Sequence, residues 1–191
     1  MGFFDIFSGG NTMNTSGNRR VQMTKNMIKD ALFELLEKKT LQKISVRELC
    51  EKADINRATF YKYYADVFDL MDEVNRDFMH EANDAIGEGG DNFRDRMINM
   101  MRFAEKKKEV CKLILANSSN NDFLKEIIEQ PLIARSITES FQDERLKKNP
   151  YLTEFIVFGC YHVMLDWIKK DCPDSPTEMA DHIIEFTAAF M

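Results

Sequence analysis

The sequence predicts an all-α protein, with an N-terminal three-helix head built round a helix-turn-helix and a larger C-terminal helical bundle, about nine helices in all. Three observations predict it. Four prolines and eight glycines in 191 residues leave long stretches without a helix breaker. Apolar residues recur at intervals of three and four along most of the chain. Ser45, Asn56 and Asp66 stand where helix N-caps belong, each just ahead of a helical run.

The first periodic segment covers 23–39. Ile28, Ala31, Leu32, Leu35 and Leu36 form its apolar stripe, Thr24 is the expected N-cap, and Lys38 and Lys39 suit the negative end of the helix dipole. After a connection over 40–44, Ser45 and Glu48 make a capping box for a short helix over 46–53 that buries Val46, Leu49, Cys50 and Ala53. Asp54 and Ile55 form the turn, and Asn56 caps a third helix over 57–64. Two short helices across so tight a turn cannot bury their faces alone, so they need the first helix as a base. Asp66, with Asp69 three residues on, opens a fourth helix over 67–86 carried by Val67, Leu70, Met71, Val74, Phe78, Ala82 and Ala85. Gly87, Gly89 and Gly90 end it and are the expected hinge.

Further helices are expected over 91–105, 106–116, 120–142, 150–170 and 177–190, the third kinked or split by Pro131. Pro150 suits a first helical turn, and Pro173 and Pro176 bracket the gap before the last helix. The last two helices are apolar nearly all round, which is the pattern of an element buried nearly all round. One face of the 150–170 helix carries Leu152, Phe155, Ile156, Cys160, Val163 and Trp167, the other Phe158, Tyr161, Leu165 and Ile168. In so small a domain the second face points to another subunit. Phe158, Tyr161, Leu165, Ile168, Ile183, Phe186 and Phe190 are therefore the expected four-helix dimer interface. The organisation that results is a flexible tail over 1–18, a head over 19–66 with its motif at 45–64, and a body over 67–191 joined through the fourth helix.

Composition narrows the function. Hydrophobic residues at 44% and charged residues at 30% are those of an ordinary globular chain with ample core. The four cysteines form no C-x-x-C pair and read as reduced thiols of a cytoplasmic protein. No apolar run reaches the roughly 18 residues that a membrane span needs. The opening MGFFDIFSGG has no basic leader, and Ile6 stands where myristoylation expects Ser or Thr. The Ser-, Gly-, Asn- and Thr-rich stretch after it suits a flexible tail, unless Phe3, Phe4, Ile6 and Phe7 dock on an apolar groove. The net charge of −6 is unevenly spread. Residues 18–65 hold 11 Lys/Arg against 6 Asp/Glu, and residues 66–191 hold 15 against 25, so a polyanion is drawn to one end and repelled by the other.

At 100° per residue Phe60 and Tyr64 point together, and they are taken as the inward face of the third helix. The opposite face holds Ala58, Thr59, Tyr61 and Lys62, flanked by Arg57 and Tyr63. That division suits a helix in a DNA major groove. Lys62 donates to guanine or phosphate, small Ala58 and Thr59 permit close approach to thymine methyls, and Arg57, Tyr61 and Tyr63 reach phosphates. Arg47 adds another phosphate contact. On composition alone the bland reading has about equal weight, because basic residues on short helices are usually just solvated.

The stretch SVRELCEKADINRATFYKYYADVFDL resembles the helix-turn-helix of the TetR/AcrR (tetracycline-repressor) family of bacterial regulators, and the similarity runs from Arg20 to about Phe78. The resemblance implies a homodimeric repressor of a palindromic operator, with a three-helix DNA head and a helical body that binds a small hydrophobic effector or a partner. It assigns DNA-contact roles to Ser45, Arg47, Asn56, Arg57, Ala58, Thr59, Tyr61, Lys62 and Tyr63. Phe158-Gly159 leading to Asp166-Trp167-Ile168 resembles a C-terminal type common in Firmicutes regulators. Three departures stand out. The usual turn glycine is Asp54, the usual His before the last aromatic is Tyr63, and the usual Lys opening the fourth helix is Val67, which removes one phosphate contact.

No catalytic motif, phosphate loop or cofactor motif is present in the sequence, so no enzyme is expected and no metal. His162 and Asp166, one helical turn apart, read as a hydrogen-bonded pair before a metal site, and His80 and Asp84 as solvated. Lys106, Lys107 and Lys108 read as a solvated helix start. Soft apolar groups in the body (Met97, Met100, Met101, Phe123, Phe155 and Phe158, with His162) are the candidate pocket for an effector, although at helical spacing such residues are more often core. Two rival classes remain open: a helical co-regulator that works through a partner protein with little DNA binding, and an enzyme housed in the Phe/Met body.

Overall fold

The computed structural model describes residues 16–87, 92–117 and 149–188, and their regular structure is helical throughout. The helices are α1 (Ser16–Leu36), α2 (Val46–Lys52), α3 (Arg57–Tyr61), α4 (Val67–Gly87), α5 (Phe93–Lys106), α6 (Lys108–Asn117), α7 (Pro150–Lys169) and α8 (Pro176–Ala188), with a 3-10 turn at Leu41–Lys43. The chain divides into two compact units, Met1–Glu81 and Ala82–Met191. The sequence boundary at 66/67 marks the start of α4, whereas the first unit continues into that helix. The expected helix over 120–142 lies outside the described residues, and so does the expected hinge at 87–90 except for Gly87, the last residue of α4.

In the first unit α1 supplies the base. Ile28, Leu32 and Phe33 are fully buried, and Leu49 of α2, Phe60 of α3 and Leu70 and Val74 of α4 meet the same core. Thr24 is not the cap of α1. The helix starts at Ser16, within the expected tail, and the Thr24 hydroxyl donates back to the Arg20 carbonyl one turn earlier at 3.0 Å. Ser45 caps α2, its Oγ accepting from Glu48 N at 3.2 Å, while the Glu48 carboxylate engages Lys39. Asp66 Oδ1 accepts from Phe68 N and Asp69 N at 2.8 and 2.9 Å, and Asp69 returns the favour by accepting from Ala65 N at 2.9 Å. These caps fix where α2 and α4 begin.

The α2–α3 turn is a left-handed C-cap. Ile55 N reaches back to Cys50 O at 3.0 Å, and Asp54 between them takes φ 51. Only Gly adopts that conformation freely, and Asp tolerates it better than most side chains.

In the second unit α5 and α8 pack most closely, pinned on their exposed side by Arg94, whose Nε and Nη2 each reach the Asp181 carboxylate at 2.8 Å. Asn92 caps α5, accepting from Asp95 N at 2.9 Å. Lys107 breaks α5 from α6, and it is buried with its ammonium over the Phe103 ring, not solvated as the lysine run suggested. Its stem crosses the junction of two helices, which covers it. α8 opens on a full capping box that the sequence reading passed over: Glu178 N donates to Ser175 Oγ, and Ser175 N donates to Glu178 Oε2. Between α7 and α8, Asp171 and Cys172 both take positive φ, and Lys108 and Lys112 of α6 hold the Asp171 carboxylate.

Replacing Asp54 by Gly is expected to raise the unfolding free energy by up to about 1 kcal/mol. Asp54→Val, with a branched Cβ at positive φ, is expected to lower it by about 1–2 kcal/mol. Denaturant melts of the two variants test this, and equal midpoints would contradict the strained turn.

Candidate nucleic-acid interface

With five residues, α3 takes its pose from its surroundings. Asn56 Oδ1 accepts from Thr59 N at 2.7 Å and from the Thr59 hydroxyl at 3.0 Å, which starts the helix. Phe60 and Tyr64 face the core, with the Phe60 ring 5.6 Å from the rings of both Tyr61 and Tyr64. On the other side Arg57, Ala58, Tyr61 and Lys62 are exposed, and Thr59 and Tyr63 partly so. The Lys62 ammonium rests over the Tyr63 ring at 5.5 Å.

The helix is shorter than the eight residues expected. The Phe60 carbonyl accepts from both Tyr63 N and Tyr64 N, at 2.9 and 3.0 Å, and these two hydrogen bonds to one oxygen tighten the chain into a turn after Tyr61. Tyr63 therefore sits on the turn, not on the rod.

Ser45 and Asn56 are exposed, but their side-chain oxygens are engaged in the two caps, so they hold α2 and α3 in place. Arg47 is exposed at the start of α2 with its Nε on Glu51 Oε1 at 2.8 Å. That carboxylate competes with any phosphate for the guanidinium. The i, i+4 spacing of Arg47 and Glu51 was present in the sequence and could have revealed the pair. Cys50 lies in the core beneath, where burial pushes its thiol up and away from reactivity.

Behind the reading face lies a polar cluster that sequence reasoning missed. Glu73 of α4 receives Lys25 at 2.6 Å and Lys29 at 2.7 Å from α1, and the Tyr64 hydroxyl at 2.9 Å. Lys29 is itself buried and also engages Asp77. Burial alone would raise the Glu73 carboxyl, but the hydrogen bonds from Lys25 and Lys29 outweigh it and hold the group at about 2. The Tyr64 hydroxyl moves the other way, pushed well up by burial and by its bond to Glu73.

The residues expected at the two candidate sites of the body differ widely in exposure. Of the expected pocket residues, Met101 is fully buried, Met97, Met100 and Phe158 are half-buried, Phe155 and His162 are exposed, and Phe123 lies outside the described residues. α7 turns Phe155 and His162 outward, while Met101 packs inside the core. A shallow groove of about 260 Å³ lies between α7 and α8, lined by Val163, Asp166, Trp167, Met179, His182 and Phe186 among others.

The expected dimer face is likewise corrected. Tyr161, Leu165, Ile168 and Ile183 are buried within the chain's own core, Phe158 is half-buried and Phe190 lies outside the described residues, which leaves Phe186 exposed. The apolar side chains of α7 and α8 that do face outward are Tyr151 (78% exposed), Phe155 (63%), Phe186 (44%) and Val163 (37%). Asp166 pairs with Lys170 at 2.7 Å in place of the expected partner His162, and no metal-binding cluster occurs among the described residues.

The model of a TetR-type transcriptional regulator C-terminal region matches residues 91–188. The chain belongs to the TetR family of transcriptional regulators. The match falls on the body, while the residues that resemble the family's helix-turn-helix lie in the head. Over 169 residues, 84% of this TetR-family chain, it is 21% identical to an uncharacterized HTH-type transcriptional regulator, YxbF, of Bacillus subtilis (strain 168), and it spans 44% of that relative's length. In fold it is similar to a TetR transcriptional regulator from Streptococcus agalactiae 2603V (TM-score 0.69, 19% identity, covering 89% of this chain and 96% of that one). It is also similar to the fatty acid degradation regulator FadR from Bacillus halodurans (TM-score 0.54, 15% identity, 90% and 94% covered). The family is one of regulators, not enzymes, which removes the enzyme reading of the Phe/Met body. No described helix is long and apolar enough to cross a membrane.

Because the Glu73 carboxyl ionises lower in the folded head than its ordinary 4.5, folding favours the charged form. The stability this supplies, on the order of 2–3 kcal/mol, is complete above about pH 4.5 and lost as pH falls toward 2. Glu73→Gln is expected to abolish that segment of the acid-unfolding curve. Parallel curves for the variant and the parent would remove Glu73 from its central role.

Proposed function

We propose that this regulator is a cytoplasmic homodimer that binds a near-palindromic operator, each head laying α3 in a major groove. The observation that carries the reading is the sorting of α3: Phe60 and Tyr64 are buried, while Arg57, Ala58, Tyr61 and Lys62 stand on the opposite, exposed side. Lys62 and Arg57 bring donors for guanine and phosphate, Ala58 and Thr59 bring small surfaces for close approach, and Tyr61 and Tyr63 bring hydroxyls for the backbone. The surplus of positive charge over residues 18–65 and the acidic remainder of the chain favour docking by the head. Arg47 contributes where phosphate outcompetes Glu51.

The exposed apolar stripe of Tyr151, Phe155, Val163 and Phe186 supports a two-helix contribution from each subunit to a four-helix interface. The reading is completed by repression relieved when a small effector or a partner engages the body, with α4 as the connector. The start of α4 supports a second reading. Val67 is buried where a lysine would face phosphate, and Asp66 and Asp69 flank it, which suits a co-regulator with weak DNA binding that acts through a partner protein.

Selection of duplexes from a random-sequence pool, followed by footprinting at low salt, separates the two readings. The first predicts a protected inverted repeat with half-sites roughly 34–36 Å apart and a steep loss of affinity with salt. Arg57→Ala and Lys62→Ala should each weaken binding roughly 5- to 100-fold. Unchanged binding in both variants favours the co-regulator. In sedimentation, Phe155→Arg is expected to give a folded monomer, since Phe155 lies outside the core. A dimer that persists at micromolar concentration would place the interface elsewhere.

A further inference from the structure

Lys25 and Lys29 lie one turn apart on α1, and Glu73 and Asp77 one turn apart on α4. The pairs 25–73 and 29–77 share the same separation of 48 residues. α1 and the start of α4 therefore run side by side in the same direction, with their register set by two rungs that Lys29 bridges. Sliding α4 on α1 by one helical turn, about 5.4 Å, would change which carboxylate faces each lysine and would take Glu73 out of its present place between Lys25 and Lys29. The same Glu73 oxygen that takes Lys29 also accepts from the Tyr64 hydroxyl, and the Lys25 ammonium lies over the Tyr64 ring at 5.4 Å. Tyr64 is thus held at its tip by α4 and across its face by α1.

We propose that Glu73 is the positioning residue that fixes the angle of α3, so that discrimination between DNA sequences depends on the Tyr64–Glu73 bond. The inference rests on the reading of α3 as the DNA-contacting helix. Phe60 anchors α3 by apolar packing alone, which permits a small rotation at little cost. A charge-assisted hydrogen bond has a narrow range of length and angle and does not. Tyr64 lies two residues beyond Lys62, and a rotation of α3 about Phe60 carries Lys62 and Ala58 sideways across the base edges. Base readout needs its donors placed within about 0.5 Å, whereas phosphate attraction is indifferent to such a shift. The expected signature is a loss of specific binding with non-specific binding retained.

The test uses the full chain and two duplexes of equal length, one selected by the parent protein from a random-sequence pool and one of scrambled sequence. Affinities for both are measured at one salt concentration for the parent, Tyr64→Phe, Glu73→Gln and the double variant. Each single change is expected to weaken the selected duplex roughly tenfold and to leave the scrambled one within about twofold. The double variant should lose less than the two single losses combined, because both changes act on the shared Tyr64–Glu73 bond. Ile28→Val, a core change on α1, lowers thermal stability without altering the ratio of the two affinities. If Tyr64→Phe and Glu73→Gln lower thermal stability but keep the parental ratio, the cluster merely holds the head together and the proposal is wrong. Should Glu73→Gln fail to fold, Tyr64→Phe, which keeps the ring and removes only the hydroxyl, decides the matter alone. A parent that selects no sequence at all sinks the DNA reading first and this inference with it.

Discussion

A helix of five residues forms fewer hydrogen bonds than its nucleation demands, so α3 exists because Phe60 and Tyr64 are drawn into the head. The rest of the head can be understood as what makes that burial possible. α1 provides a floor of Ile28, Leu32 and Phe33, α2 closes one side with Leu49, and α4 closes the other with Leu70 and Val74. The caps at Ser45, Asn56 and Asp66 supply acceptors for N–H groups that such short helices would otherwise leave unpaired. With these starts capped, Arg57, Ala58, Tyr61 and Lys62 are left exposed on the outward face.

The buried lysine shows how tightly this is constrained. An ammonium within a core is unfavourable unless it is paired and hydrogen-bonded. Lys29 meets that condition through Glu73 and Asp77, and Glu73 in turn through Lys25 and Tyr64. An apolar contact at the same place could stabilise the head as well. The charged cluster does something an apolar contact does not: it ties α1, α4 and the Tyr64 hydroxyl to one carboxylate, Glu73.

The head was largely legible in the sequence, and the reason is local chemistry. Caps, the left-handed turn at Asp54 and the inward pair Phe60 and Tyr64 are each determined by residues within a few positions of one another. The failures have a shared cause too. Thr24 resembles a cap, yet the helix runs through it, because a hydroxyl that bonds back to the previous turn looks the same in sequence as one that opens a helix. In α7 nearly every position is apolar, so periodicity could not say which side faces the subunit's own core. Tyr161, Leu165 and Ile168 turn inward and Phe155 and Val163 outward, a choice made by α6 and α8 and invisible in α7 alone. The Lys25–Glu73 and Lys29–Asp77 pairs, 48 residues apart, needed the fold before they could be seen.

The start of α4 concentrates recognition on α3. Asp66 commits its carboxylate to two backbone N–H groups and Asp69 commits its own to a third, so the positive end of the helix is already occupied by fixed negative charge. Val67 adds no cation, because its side chain belongs to the core. A phosphate approaching there would meet two carboxylates and the exposed Phe68 ring, with no lysine to receive it. The nearby Arg47 is partly neutralised by Glu51. Arg57 and Lys62 are the exposed cations of the reading face itself, both on or beside the short helix whose angle Tyr64 and Glu73 hold. With no cation at the start of α4 and Arg47 shared with Glu51, accurate placement of α3 carries more of the binding than it would with a lysine at position 67.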